Sequence, residues 1–193
     1  MTLKMEAESV LPTQWGEFLI SCVSFSSGKV KQKATVIKLG EAKNPLLCRV
    51  HSQCLTGESF GSLRCDCKDQ LDASLKMIQE QGAGAVFYLE QEGRGIGLEN
   101  KIKAYALQDK GLDTLDANLS LGLPADDRDY SIVPQILEAW NVERVKLLTN
   151  NPLKISALEK GGISVHRSSL WVHKNNLCQS YLKTKQEKMG HIS

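Results

Sequence analysis

An α/β fold is what this sequence of 193 residues predicts, and three observations point to it. Short β-rich runs alternate along the chain with stretches of helical periodicity. Those helical stretches stop at glycines, the residues that favour left-handed helix caps. Finally, a hydrophobic content of 41% supplies apolar surface for one sizeable core, so a single domain is expected.

The runs read as strands are Thr35 to Leu39, Leu46 to Val50, Ala85 to Leu89, Val145 to Thr149 and Ile163 to His166, each rich in β-branched or aliphatic residues. Between them, Gln70 to Gln81 stops at Gly82 and Leu98 to Lys110 stops at Gly111. Ser131 to Trp140 is a further helical stretch. Asn151-Pro152 combines a capping side chain with proline at the first helical position, and that helix runs to Lys160 before Gly161-Gly162. Such alternation places functional residues in the loops at strand ends. After about Trp171 the chain turns polar and unpatterned, so residues 1–172 are expected to form the folded unit and 173–193 a mobile tail.

With 24 Lys plus Arg against 22 Asp plus Glu, the formal net charge is only +2. That is too small for an electrostatic footprint suited to nucleic acid or a membrane surface, and the expected partner is a small molecule. No window approaches the apolar length needed to cross a bilayer, and the first residues lack a secretory pattern, so a cytoplasmic protein is expected. In a reducing compartment six cysteines are not a disulfide framework, and clustered cysteines read as metal ligands or reactive thiols.

Cys54, Cys65 and Cys67 have a C-x10-C-x-C spacing. A C-x-C pair aims two thiolates at one ion, and a glycine-containing loop returns the third. Three thiolates leave one coordination position open, the arrangement of a catalytic zinc. The spacing equally admits a closed structural site completed by His51 or Cys48, or thiols without metal. Cys48, inside Pro45-Leu-Leu-Cys-Arg-Val50, and Cys22, near Phe18-Leu-Ile20, read as small buried side chains. Cys178, in the tail, has no evident counterpart.

Two strand-to-helix junctions can receive an anion. Gln91-Glu-Gly-Arg-Gly-Ile-Gly97 offers backbone N–H groups, a helix start and Arg94, yet its G-x-G-x-G spacing fits neither the dinucleotide fingerprint nor the Walker A loop. Leu147-Leu-Thr-Asn-Asn-Pro-Leu-Lys154 places a hydroxyl, two amides and a lysine in the same layout. With Arg49-Val-His-Ser52 these would form a positive pocket for several phosphates. Taken singly, each also reads as a capped helix or a glycine turn. Ala125-Asp-Asp-Arg-Asp-Tyr130 sets an arginine among three carboxylates, which is also ordinary decoration of a helix start.

Taken together and in order, RVHSQCLTGESFGSLRCDC, QEGRGIGLENKIKAYALQDKGLDT, ADDRDY and LLTNNPLK resemble GTP cyclohydrolase II from about Arg49 to Lys154, and more loosely through Lys188 to His191. The resemblance implies an α/β fold with a mixed sheet and helices on both sides. It also implies the first committed step of riboflavin biosynthesis, in which GTP becomes 2,5-diamino-6-(5-phospho-ribosylamino)pyrimidin-4-one with release of formate and pyrophosphate.

Carried over residue by residue, Cys54, Cys65 and Cys67 would hold one zinc per subunit that activates water for attack at C8 of guanine. Arg49, Val50, His51, Ser52, Gln53 and Gln70 would line the nucleotide site. Glu92, Gly93, Arg94 and Thr114 would contact GTP, and Thr149 and Lys154 would complete the pocket. Asp126 would accept a proton, Arg128 would act on the α-phosphate as a nucleophile or as a charge clamp, and Tyr105 would contact the base. Magnesium would enter with the triphosphate. Gln53 departs from the glutamate frequent in the family.

The resemblance further implies a homodimer. Only Met1 to Cys48 precedes the Arg49 motif, so the second domain of many relatives, which makes the four-carbon riboflavin precursor, is expected to be absent. The competing functions are a zinc-stabilised GTP sensor without turnover and a variant enzyme that retains the formyl group.

Overall fold

The computed structural model describes residues 2–28, 30–170 and 172, and the tail assigned to 173–193, with Cys178 and Lys188 to His191, lies outside them. Among the described residues seven strands form one sheet: β1 (Thr2–Thr13), β2 (Gly16–Ser27), β3 (Val30–Leu39), β4 (Leu46–Ser52), β5 (Gly84–Leu89), β6 (Arg144–Leu148) and β7 (Ser164–Ser168). Their order is β1-β2-β3-β5-β4-β6-β7. The first three strands and β5 pair antiparallel, while β5, β4, β6 and β7 pair parallel, so the sheet is mixed.

Helices cover both faces, and the period-2 alternation of the strands shows why. Cys48, Val50, Ala85, Phe87, Val145 and Leu147 point to one side, against α5 (Ile132–Ala139) and α6 (Pro152–Lys160). Leu47, Val86 and Leu148 point to the other, against Leu75 and Ile78 of α2 (Cys67–Gln81). Strands buried on both faces read as continuous apolar runs, and Leu46–Val50 and Ala85–Leu89 do so in the sequence.

The helix punctuation holds at α2, which ends at Gly82 with φ 74°, and at α6, where the Asn151 side chain accepts from Leu153 N at 2.9 Å. α3 (Gly97–Gln108) stops two residues before the expected end, and α5 is one residue shorter at each end. Two short helices were not expected, α1 (Leu55–Glu58) and α4 (Thr114–Ser120). The second is capped by Asp113, which accepts from Leu115 N and Asp116 N at 2.8 and 2.9 Å.

The sequence reading differs most at the N-terminus. It starts the sheet at Thr35, whereas β1 and β2 precede it and β3 begins at Val30. Most of β1 is exposed on both faces, so it carries no apolar alternation that periodicity can detect. Cys22 is exposed rather than buried, because Ser21 and Val23 take the inward positions and the residue between them must face outward.

The parallel core is where stability should reside. Leu137 is fully buried. Leu137→Ala should lower unfolding free energy in urea titration by about 2–5 kcal/mol. The same truncation at exposed Leu119 should stay within about 0.5 kcal/mol.

Candidate active site

From β4 the chain passes to β5 on one side and later to β6 on the other, so the carboxyl end of β4 is a point where the strand order reverses. Crevices at such points are the usual ligand sites of open α/β sheets. Here the loops after β4 and β5 enclose a cavity of about 620 Å³.

The cysteines meet on its wall. Cys54 precedes α1, Cys65 returns on the following loop and Cys67 opens α2. Their sulfurs all lie within 4.8 Å of one another, close enough to hold one metal ion, and no disulfide joins them. A Cβ at Gly57 would stand 2.8 Å from the Cys65 sulfur and 3.2 Å from that of Cys54. Glycine is thus required there for space, in a cradle shaped around the sulfurs. Hydrogen bonds from Cys65 and Cys67, helped by the charge of Lys101, hold the Cys54 thiol far below its ordinary range. Sharing with Cys54 pushes Cys65 up to about 11. The downward direction at Cys54 is the one a metal ligand requires, since thiolate rather than thiol binds the ion.

Neither candidate for a fourth ligand joins the cluster. Cys48 is sealed in the core. His51 Nε2 lies 2.9 Å from Glu58 Oε1, which also accepts from Cys54 N at 2.8 Å, while Glu58 Oε2 accepts from Tyr88 Oη at 2.7 Å. Burial pushes His51 down to about 4, so the imidazole is neutral at pH 7. The pair of cysteines after the loop is braced by a second buried chain. Arg49 donates to Leu148 O at 2.8 Å and to Gln70 Oε1 at 2.5 Å, and Gln70 donates to Asp66 at 2.6 Å. Asp66 stands between Cys65 and Cys67. Burial lowers the Arg49 guanidinium to about 10, which leaves it charged.

After β5, Glu92–Gly95 forms a 3-10 turn in which Gly93 and Arg94 both have φ 63°, an unusual conformation for arginine. A Cβ at Gly95 would meet Asp127 O at 2.7 Å, and Asp127 N donates to Arg94 O at 2.9 Å. The glycine turn therefore lies directly on the 125–130 loop. There Arg128 donates from Nε and Nη2 to the two Asp126 oxygens at 2.8 and 2.5 Å. Burial opposes the Asp126 charge, yet Arg128 outweighs it and the carboxyl is held below its ordinary value.

Ser52, Gln53, Cys54, Cys65, Cys67, Glu92, Gly93, Arg94, Tyr105 and Arg128 line the cavity. Asp126 borders instead a neighbouring hollow of about 450 Å³, which Arg128 also reaches. Arg49, His51, Thr149 and Lys154 are buried and Val50 and Gln70 sit among them, behind the wall rather than on it. Lys154 Nζ donates to Val50 O at 2.8 Å, and Thr149 Oγ1 accepts from Asn151 N at 3.0 Å. Thr114 is the first residue of α4.

Sequence reasoning missed Thr56, Gly57, Glu58, Asp66 and Lys101. Only Asp66, enclosed by the C-x-C pair, and Lys101, four residues before Tyr105 on the same helix, carry a local signal.

Comparison with known proteins agrees with this geometry. The family model for GTP cyclohydrolase II matches residues 4–169, which extends the likeness back over β1 to β3. A GTP cyclohydrolase-2 of Buchnera aphidicola subsp. Acyrthosiphon pisum is 49% identical over 98% of each chain. One from Acinetobacter baumannii strain SDF is 50% identical over 100% of this chain and 97% of its own, and one from Enterobacter sp. strain 638 is 48% identical over 100% and 98%. A cavity that joins a three-cysteine cluster to an arginine–carboxylate pair, in a sequence half identical to these relatives from end to end, means that the chain belongs to the GTP cyclohydrolase II family.

Proposed function

We propose that the protein hydrolyses GTP to 2,5-diamino-6-(5-phospho-ribosylamino)pyrimidin-4-one, releasing formate and pyrophosphate in the first committed step of riboflavin biosynthesis. The observation that carries this reading is that the cysteine cluster and Arg128 share one cavity. Two chemistries on one nucleotide, at its base and at its α-phosphate, call for two centres within reach of a single ligand.

At the base, Cys54, Cys65 and Cys67 would hold zinc, whose Lewis acidity renders water nucleophilic near neutral pH. Tyr105 faces the same end. Its hydroxyl lies 3.4 Å from Thr56 Oγ1, and burial raises its pKa, so it remains a proton donor toward the ring being opened. Gln53 Nε2 and Oε1 can pair with an edge of the base without adding charge.

At the phosphates, Arg94 and Arg128 supply positive charge from adjoining loops, and magnesium would accompany the triphosphate. Moving a proton from an ordinary guanidinium to an ordinary carboxylate costs on the order of 12 kcal/mol. The ion pair with Asp126 widens that gap rather than narrowing it. Arg128 therefore acts as a charge clamp on the α-phosphoryl transition state as pyrophosphate leaves, oriented by Asp126, which keeps its guanidinium planar and aimed. A homodimer, with residues 1–172 as the catalytic unit, belongs to the same proposal.

Incubating the zinc-loaded protein with GTP and Mg²⁺ should yield formate, pyrophosphate and a pyrimidine product of the corresponding mass. Intact GTP after long incubation would leave only a sensor, and a product heavier by one formyl group would mean that hydrolysis stops after ring opening. Intact-protein mass spectra of samples quenched during turnover should show no guanylyl adduct, and Arg128→Lys should slow pyrophosphate release about tenfold or more. An adduct that vanishes in Arg128→Ala would make the arginine a nucleophile instead. Gly57→Ala, which puts a methyl group against two sulfurs, should weaken zinc retention at least about tenfold in competition with a chromophoric chelator. Unchanged retention would show that the cradle does not hold the ion.

A further inference from the structure

The side chain that approaches the cysteine cluster most closely from outside the cysteine loop is Lys101, on the first turns of α3. Its ammonium has three N–H donors, and three acceptors receive them: Glu92 Oε1 at 2.7 Å, Thr56 Oγ1 at 2.8 Å and the Cys54 sulfur at 3.2 Å. The side chain is only 11% exposed. Its position is thus set by three contacts on two segments, the start of α1 and the glycine turn, and is not that of a mobile surface lysine.

The neighbourhood is shaped to admit it. A Cβ at Gly93 would stand 3.1 Å from Lys101 Cβ, so the glycine turn leaves room for the stem. The ammonium also passes over the Tyr105 ring at 5.7 Å. Thr56 Oγ1, which accepts from Lys101, keeps its own proton for Tyr105 Oη at 3.4 Å or for the Cys54 sulfur at 3.8 Å. If the lysine served only to close an ion pair with Glu92, no contact with sulfur would be required.

The chemistry gives that contact a purpose. Three thiolates around a divalent ion carry one net negative charge, and strong sulfur donation weakens the ion as a Lewis acid. A cation that hydrogen-bonds one of the sulfurs withdraws electron density from it. A compact ammonium suits this position better than a planar guanidinium, because its three donors diverge toward three separate partners.

We propose that Lys101 is a positioning residue for the metal, donating to the Cys54 sulfur so that the ion held by Cys54, Cys65 and Cys67 keeps the acidity that ring opening requires. The inference rests on the reading of those cysteines as a metal site. It does not require Lys101 to touch the substrate.

The test uses full-length protein with Co²⁺ in place of zinc. The energy of the sulfur-to-cobalt charge-transfer band reports how tightly the sulfurs hold their electrons. In Lys101→Met and Lys101→Gln that band should move to longer wavelength. In the zinc-loaded forms kcat for formate release should fall about tenfold or more, with a smaller change in KM for GTP. A band at the wild-type wavelength in a variant that is folded by circular dichroism overturns the proposal. If Lys101→Met does not fold, Lys101→Gln decides by the same reading. Should the wild-type chain show no charge-transfer band on titration with Co²⁺, the metal site itself fails, which is a different result from an unmoved band.

Discussion

A guanidinium buried in the middle of a parallel strand must be answered from inside the protein, and the answers given to Arg49 determine where the cysteines stand. Solvent reaches 5% of this residue, and leaving such a charge unanswered costs several kcal/mol. One donor goes to Leu148 O at the end of β6, the other through Gln70 to Asp66. The first contact ties the middle of β4 to the end of β6. The second reaches into the turn between Cys65 and Cys67 and fixes the start of α2. A charge on β4 thus sets the geometry of the Cys65 and Cys67 pair farther along the chain.

The other end of the cysteine loop is held in the same manner. Glu58 accepts from Cys54 N, His51 and Tyr88, so its carboxylate binds the loop to β4 and β5 at once. Glu92 does the equivalent from the turn after β5, accepting from Leu55 N at 2.5 Å and from Lys101. Partly buried carboxylates with several donors each are fixed objects, and Glu58 and Glu92 both hold this one small loop. The sulfurs are consequently placed before any ion arrives, which is the condition for a metal site of defined geometry.

How much of this was legible in the sequence follows from distance along the chain. The cysteine spacing, the Asn151-Pro152 cap, the Gly82 stop and the apolar runs of β4 and β5 are local signals, and each appears in the structure where the sequence placed it. The contacts that make the site a site are not local. Lys101 meets Cys54 across 47 positions and Glu92 meets Leu55 across 37, and no spacing rule relates such residues. Lys154, one turn into α6 and expected at the phosphates, shows how side-chain direction escapes the sequence: its ammonium is buried and donates to Val50 O. Sequence indicates which residue types are near a strand end but not which way they turn. β1 was invisible for a further reason, since an edge strand exposed on both faces has no inward side to mark in its pattern.

Charge along the cavity wall finally bears on how a nucleotide would sit in it. The three cysteines share that wall with Lys101, whose donors are all engaged, and with Arg64, whose guanidinium lies over the Tyr105 ring at 4.7 Å. Arg94 and Arg128 join them from loops that Gly95 allows to lie in contact, with the Asp126 carboxylate turned toward the neighbouring hollow. On the reading proposed above, a triphosphate would meet opposite charge at Arg94 and Arg128 in a partly enclosed space where screening is weak. With Gly95 holding the glycine turn against the 125–130 loop, the two arginines stay close together, so one cluster of phosphates could meet both.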